Sequence, residues 1–251
     1  MSLIQVDKLE KYYSDSGILA VKDLSFTIEK GEFISIVGPF GCGKTTILNL
    51  VGGITENYKG SIKINNKSPS EARKKREIGY CFQKPNLLPW LNVLENVLLP
   101  QKIANIRKDQ TRALKLLKMV DLDSYASMKP YNLSGGMQQL ISITRSLILN
   151  PDILLLDEPF SSIDEINRSK MQLRLLEIHK KTKKTTVMIT HSINEAVFLS
   201  DKIIVLSPRP ATVNKVVTVV FQNRNERTAF SKIFLDYVKI VKKELKNGQN
   251  N

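Results

Sequence analysis

The sequence predicts an α/β domain built on a largely parallel sheet, and three observations carry that prediction. Short uninterrupted apolar runs alternate with amphipathic helical patterns. One run, residues 33–37, leads into a glycine-rich loop that opens a helix. Another, residues 153–156, ends in two adjacent carboxylates, Asp157 and Glu158.

In chain order, Leu24, Phe26 and Ile28 alternate as on a strand and lead to a turn at Lys30 and Gly31. Residues 33–37 are apolar throughout, which suits a strand covered on both faces. The glycine-rich segment follows, and residues 46–51 read as a helix. Further buried strands are expected at 78–82, 153–156, 186–189 and 203–206, with helices at 165–180 and 193–199. Residues 85–150 differ: they hold helical patterns at 93–99, 109–120 and 136–149 and no convincing strand, so they read as a helical insert. From 226 to 245, Phe230, Ile233, Phe234, Tyr237, Val238, Val241 and Leu245 fall on one helical face, expected to dock on its own domain; a membrane-surface helix is the alternative. The expected organisation is an α/β core from 1–84 and 151–225, a helical subdomain from 85–150, and a C-terminal helix and tail from 226–251.

A chain of 251 residues with 42% apolar and 25% charged residues can bury a real core, which excludes a disordered or membrane-embedded class. The opening MSLIQVDKLEKYY lacks the apolar centre of a secretory signal, and no apolar run reaches the roughly 18 residues of a membrane span. Cys42 and Cys81 offer neither a disulfide framework nor metal-ligand spacing. The expected location is therefore cytoplasmic. The net charge of +14 suits nucleic acid, anionic lipid or a phosphorylated ligand, but also a compositional bias spread over solvated faces. Charge alone names no partner.

Residues 38–45 match G-x-x-x-x-G-K-[ST]. Such a loop turns successive peptide N–H groups onto phosphate oxygens, and the helix behind it adds its positive end. Gly38, Pro39, Phe40, Gly41, Cys42, Gly43, Lys44, Thr45 and Thr46 are the expected phosphate cradle of an ATP site. Lys44 is expected to reach the β- and γ-phosphates, and the Thr45 hydroxyl to ligate Mg²⁺. The strand ending at Asp157 and Glu158 supplies the other half, because open α/β sheets bind ligands at the C-terminal ends of their strands. Asp157 is expected to hold Mg²⁺ through its water shell, and Glu158 to polarise the attacking water as general base.

These two motifs specify a nucleotide hydrolase; a third narrows it. Leu133-Ser134-Gly135-Gly136-Met137-Gln138-Gln139 closely resembles the LSGGQ signature of ATP-binding cassette (ABC) proteins. It combines a serine hydroxyl, two glycines that permit close approach, and a helix N-terminus; the plainer reading is a serine N-cap. The resemblance runs through nearly the whole chain in the family's order. It implies a P-loop NTPase fold of the cassette type, with a largely parallel core sheet, an antiparallel β part and a helical insert. It implies that Tyr13, or its neighbour Tyr12, stacks on adenine, that Gln83 senses Mg²⁺ and the γ-phosphate, and that His191 contacts the γ-phosphate. Gln83 thereby joins Thr45 and Asp157 at the metal, and joins Glu158 and His191 as a catalytic residue. Ser161-Ser162-Ile163-Asp164 resembles the D-loop, whereas His179 reads as an idle surface residue.

The resemblance further implies a two-fold dimer in which one copy's phosphate loop and the other's Ser134, Gly135 and Gly136 enclose each ATP. The membrane permease would be separate chains, docked through the loop 83–91 with Leu88, Trp90 and Leu91 as apolar contacts. An extracytoplasmic binding protein would be an indirect partner, and no nucleic acid is expected. The location implied is the inner face of the cell membrane. The stretches Leu87-Leu88-Pro89-Trp90 and Leu206-Ser207-Pro208-Arg209-Pro210 resemble the nitrate, sulfonate and taurine importer branch, whose relatives also carry bicarbonate or thiamine precursors; the lack of a regulatory domain after residue 250 agrees. Phe40 departs from the family's serine, Leu140 from its arginine, and Thr144 and Ser146 from its alanines, changes expected to slow turnover or shift dimer packing. Two other classes stay open: a cassette ATPase acting on nucleic acid or ribosomes, and a cassette that binds ATP as a switch without hydrolysing it.

Overall fold

The computed structural model describes residues 2–248; Met1 and the last three residues of the expected tail, 249–251, lie outside the described part. The chain packs as two compact units, residues 2–75 with 185–248, and residues 76–184. Packing thus groups the strand and helix of 151–184 with the helical segments of 85–150, whereas the sequence motifs alone place them with the α/β core.

The first unit opens with two long strands, β1 (Ser2–Tyr13) and β2 (Ile18–Glu29), paired antiparallel; β1 also pairs antiparallel with β4 (Lys59–Ile64), giving the order β2-β1-β4. Val6, Leu9, Leu24, Phe26, Ile28, Ile62 and Ile64 are buried, which holds the register against a one-residue slip. Only the second half of β2 is legible as a strand beforehand. The charged residues of β1 and β4 dilute their alternation, so neither strand stands out in the sequence. The parallel part of this unit is β3 (Phe33–Val37), flanked by β7 (Thr185–Ile189) and β8 (Lys202–Leu206). Every residue of β3 and β7 is buried, as their apolar runs predict. An antiparallel strand, β9 (Val213–Thr218), extends β8, and its polar Asn214 and exposed Lys215 hid it from sequence reading.

Helix α1 (Lys44–Val51) follows β3. The short α2 (Pro69–Lys74) is set by a capping box in which Ser68 and Glu71 satisfy each other's backbone N–H groups. Helix α7 (Ile193–Leu199) lies between β7 and β8 in sequence, with the bounds its hydrophobic pattern predicts. The last helix, α8 (Lys232–Asn247), corrects an expectation. It starts six residues later than residue 226, because Ser231 caps it, its hydroxyl accepting from the Phe234 N–H. Its packed side carries Phe234, Tyr237, Val238, Val241 and Leu245, but Phe230 is 86% exposed and Ile233 is exposed too. Phe230 precedes the helix, in a 3-10 turn (Glu226–Phe230), so the helical projection that placed it on the packed side does not apply.

The second unit pairs β5 (Ile78–Cys81) in parallel with β6 (Ile153–Asp157). Around them stand α3 (Val93–Ile103), α4 (Gln110–Lys118), α5 (Gly135–Leu147) and α6 (Glu165–Thr182). The absence of strand pattern between 85 and 150 is matched, since only helices and turns occur there. Arg112 donates to the carbonyls of Leu147 and Ile148 and to Asn150, satisfying the end of α5.

The packing on α8 has a direct test. Phe234→Ala, which empties a filled site, is expected to lower stability by about 3 kcal/mol in chemical denaturation, and Phe230→Ala to change it by less than about 0.5 kcal/mol.

Candidate active site

In the first unit β3 ends at Val37, and the chain turns through residues 38–43 before α1 begins. The Cys42 N–H donates to the Pro39 carbonyl at 3.3 Å, closing the turn. Gly43 sits at φ 120°, outside the range of side-chain-bearing residues, and a Cβ there would meet the Ala20 carbonyl at 3.0 Å. Lys44 is buried at 4% exposure, and its ammonium donates to the carbonyls of Gly38 and Pro39 at 2.9 Å each. The loop is thereby wrapped around its own cation, in the geometry that aims it at an incoming anion. Thr45 is exposed at the first turn of α1, and Thr46 Oγ1 lies 3.4 Å from the Tyr13 phenol oxygen. Tyr13, not the exposed Tyr12, is therefore the tyrosine tied to this helix, and the Lys11 ammonium stands 4.9 Å from its ring centre.

His191 follows β7 on a fixed turn. The Thr190 hydroxyl donates to buried Glu195 at 2.5 Å and accepts the Ser192 N–H at 3.0 Å, while Ser192 caps α7. The Phe40 ring is 94% exposed and stacks on the His191 imidazole, with centroids 5.9 Å apart and planes 27° apart. Phe40 thus touches His191 within one chain, a contact its sequence position gave no hint of.

In the second unit β6 delivers buried Asp157 and half-buried Glu158 at its C-terminal end. Glu158 has φ 44°, a costly conformation for a residue with a side chain. The Gln83 amide donates to Glu158 Oε2 and to Ser161 Oγ, both at 3.2 Å, so three expected polar side chains meet here. Ser134 caps α5, its hydroxyl accepting the Met137 N–H at 3.3 Å. The plainer reading of the signature serine, an N-cap, is realised. A Cβ on Gly136 would meet Met171 Sδ at 2.9 Å, whereas one on Gly135 would meet nothing within 4 Å. A side chain at Gly136 would displace the end of Met171, whereas among the described residues nothing crowds Gly135.

Several polar residues that sequence reasoning missed fix the segment after β5. Gln139 donates to the Phe82 carbonyl at 3.3 Å, and Arg145 to the carbonyls of Pro85 and Asn86 at 2.6 and 2.8 Å. Buried Asn96 accepts the Leu88 N–H and donates to the carbonyls of Leu88, Leu91 and Asn92. Polar residues at positions where a helical pattern demands apolar ones were the available signal.

Comparison with known proteins fixes the family. The profile of the ABC transporter family matches residues 21–161, more than half of the chain. The chain belongs to the ABC transporter family.

Among relatives, the cassette is 44% identical over 216 residues to the taurine import ATP-binding protein TauB of Rhizobium johnstonii, covering 84% of this chain and 82% of that one. It is 36% identical over 217 residues to the aliphatic sulfonates import ATP-binding protein SsuB of Bacillus cereus, covering 85% of each. A solved dimer of the ATP-binding cassette MJ0796, in a post-hydrolysis state with ADP and Pi, superposes with a TM-score of 0.74 at 34% identity, over 87% of this chain and 99% of that one. The expected fold holds in each part: parallel strands around β3 and at β5 and β6, antiparallel β1, β2 and β4, and the helical segments between.

The cassette accommodates its departures locally. Thr144 and Ser146 donate to the carbonyls of Leu140 and Ile143 within α5, and Leu140 is buried. Asp157 carries a marked electrostatic signature. Burial first, and the neighbouring Glu158 second, push its carboxyl up to about 6 from 3.8. A buried carboxylate beside a second one, with the amide of Gln83 close to the latter, is a hard oxygen donor set that a divalent cation fits.

Because the folded protein holds the Asp157 proton more tightly than the unfolded chain, this group lowers stability as pH rises from about 4 to about 6, and the cost stays in place above that. Asp157→Asn is therefore expected to stabilise the nucleotide-free protein at pH 7.5, by on the order of 2 kcal/mol, and not at pH 4. Thermal melts at the two pH values check this.

Proposed function

We propose that the chain is the ATP-hydrolysing subunit of an importer for taurine or a similar small sulfonate, working as a dimer against separate permease chains. The observation that carries the catalytic part is Glu158, at a strained φ of 44° and with its carboxylate accepting from the Gln83 amide, directly after a buried Asp157. Strain of this kind persists where position matters more than stability.

In the proposed reaction, backbone N–H groups of residues 38–46 and the α1 N-terminus hold the phosphates, and Lys44 exchanges the Gly38 and Pro39 carbonyls for phosphate oxygens. Tyr13 supports the adenine. Glu158 takes a proton from the attacking water as its oxygen bonds to the γ-phosphorus and the bond to ADP breaks. His191, oriented by the Thr190–Glu195 turn and the Phe40 ring, donates to a γ-phosphate oxygen. The Thr45 hydroxyl, Asp157 and the Gln83 amide oxygen would hold Mg²⁺, which would supply charge neutralisation for the phosphates. Ser134, Gly135 and Gly136 of a second copy close over the γ-phosphate; the open space beside Gly135 supports this, because it leaves room for a close approach.

The loop 83–91 is the proposed permease contact. Trp90 is 68% exposed although its backbone is fixed, with its carbonyl accepting from Lys129 at 2.7 Å and its neighbours anchored by Asn96. A large aromatic held out on a rigid loop is the anatomy of an interface anchor. The importer reading itself leans on the names of the relatives, TauB and SsuB. Among the described residues no helix is long and apolar enough to cross a membrane, which agrees with a peripheral subunit at the inner membrane face and a separate pore; an extracytoplasmic binding protein would complete the system.

Glu158→Gln is expected to cut steady-state ATP turnover by at least about 100-fold while MgATP still binds and drives the variant to dimer size on gel filtration. A switch that binds without hydrolysing would show no turnover in the wild type either, even with its permease. For the docking loop, co-expression with the membrane subunits of a taurine or aliphatic sulfonate importer is the check. Trp90→Ala should reduce co-purification at least about 5-fold and leave the ATPase rate of the isolated cassette unchanged.

A further inference from the structure

A loop that binds phosphate through inward N–H groups must dispose of its own carbonyls, since each needs a donor or water. Most of the phosphate loop does so internally. The carbonyls of Gly38 and Pro39 accept from Lys44, and that of Gly43 accepts from the Ile47 N–H at 3.0 Å. Gly41, at the tip, is served from elsewhere. Its carbonyl accepts from both Nε and Nη2 of Arg209, at 3.0 and 2.6 Å, across 168 residues of sequence.

Arg209 stands on a built wall. The segment after β8 is folded by Ser207, whose hydroxyl donates toward the carbonyls of Pro208 and Pro210 and accepts from the Thr212 N–H. The Ala211 N–H donates to the Ala20 carbonyl at 2.9 Å, and the Ala211 carbonyl accepts from the Lys22 N–H at 3.1 Å. The same segment lines the back of the loop at two more points: a Cβ on Gly38 would come within 3.0 Å of Leu206 Cβ, and one on Gly43 within 3.7 Å of Ala211 Cβ. Residues 206–211 thus touch the loop at its start, its tip and its end.

We propose that Arg209 is a positioning residue for the phosphate loop, holding the Gly41 carbonyl outward so that the N–H groups around it stay aimed at the nucleotide. The proposal rests on the reading of residues 38–46 as the phosphate cradle. When Lys44 turns to a phosphate it gives up its hold on Gly38 and Pro39, and the Arg209–Gly41 bond is the one that does not have to break. A guanidinium suits the task, because two N–H groups of its rigid fork converge on one oxygen and its charge favours an anion nearby. Holding the tip ordered before binding removes an entropic cost that nucleotide binding would otherwise bear.

The test is MgADP titration by calorimetry, with melting temperatures and ATP kinetics, on wild type, Arg209→Ala, Arg209→Lys and Lys44→Ala. Arg209→Ala is expected to weaken MgADP binding about 10-fold and raise the KM for ATP similarly, with kcat within about 2-fold and an unchanged melting temperature. Arg209→Lys, which keeps charge and a donor, should recover at least half of the loss on a logarithmic scale. MgADP affinity within about 2-fold of wild type in Arg209→Ala, while Lys44→Ala loses it, overturns the role of Arg209 and leaves the cradle reading standing. A melting temperature lowered by more than about 5 °C in Arg209→Ala also overturns the proposal, by assigning Arg209 to the fold. If Lys44→Ala binds like wild type, the cradle reading fails first.

Discussion

Peptide N–H groups that must face an anion cannot also be spent on secondary structure, and this constraint organises the first unit. Strand β3 is buried along its whole length and so delivers the chain to one fixed point at Val37. From there the loop has to run without a ladder until α1 begins, which is why Lys44 closes it from inside and Gly43 takes a backbone conformation barred to other residues. The neighbouring strands β7 and β8 then carry His191 and the Arg209 segment out at the same ends of a parallel array. The position of each group follows from strand direction more than from any contact made by the group itself.

The second unit solves a different problem, that of keeping charged and strained groups in place. Asp157 is buried at a cost visible in its raised carboxyl, and Glu158 is strained in its backbone. Both are tolerated because β6 is apolar and fully covered, with the dispersion and burial of Ile153, Leu154, Leu155 and Leu156 behind them, each worth about 1.5–3 kcal/mol. The segment following β5 carries apolar side chains but buries none of them fully. It is held instead by side chains of α3 and α5, through Asn96, Gln139 and Arg145. Gln83 lies in that segment, so the same helix that begins with the Ser134 signature also fixes the backbone on which Gln83 stands.

The parts legible in the sequence share one property: their function forces an unusual local composition. A strand covered on both faces must be apolar throughout, so β3, β6, β7 and β8 could be placed almost to the residue. A phosphate loop and a helix-capping Ser-Gly-Gly leave equally plain marks. Strands β1, β4 and β9 left none, because their charged and polar residues interrupt the apolar alternation. The C-terminal helix was legible in kind but not in its start, since a serine cap at Ser231 overrode an apolar periodicity that reached back to Phe230. Contacts that depend on two distant segments were beyond reach. Neither Phe40 against His191 nor Arg209 on Gly41 leaves a local signature, and the loop 83–91 shows its Asn96 anchor only as a polar residue inside an otherwise apolar helical face.

In the proposed dimer each ATP is enclosed by the phosphate loop of one copy and the Ser134 segment of another. Complementation of turnover tests it most directly. Lys44→Ala and Ser134→Glu, each inactive alone, are mixed and assayed for ATP hydrolysis in Mg²⁺. Recovery to roughly a quarter of the wild-type rate is expected, because half of randomly mixed dimers then hold one intact composite site. A mixture as inactive as its components would contradict it, placing both motifs' work within a single chain.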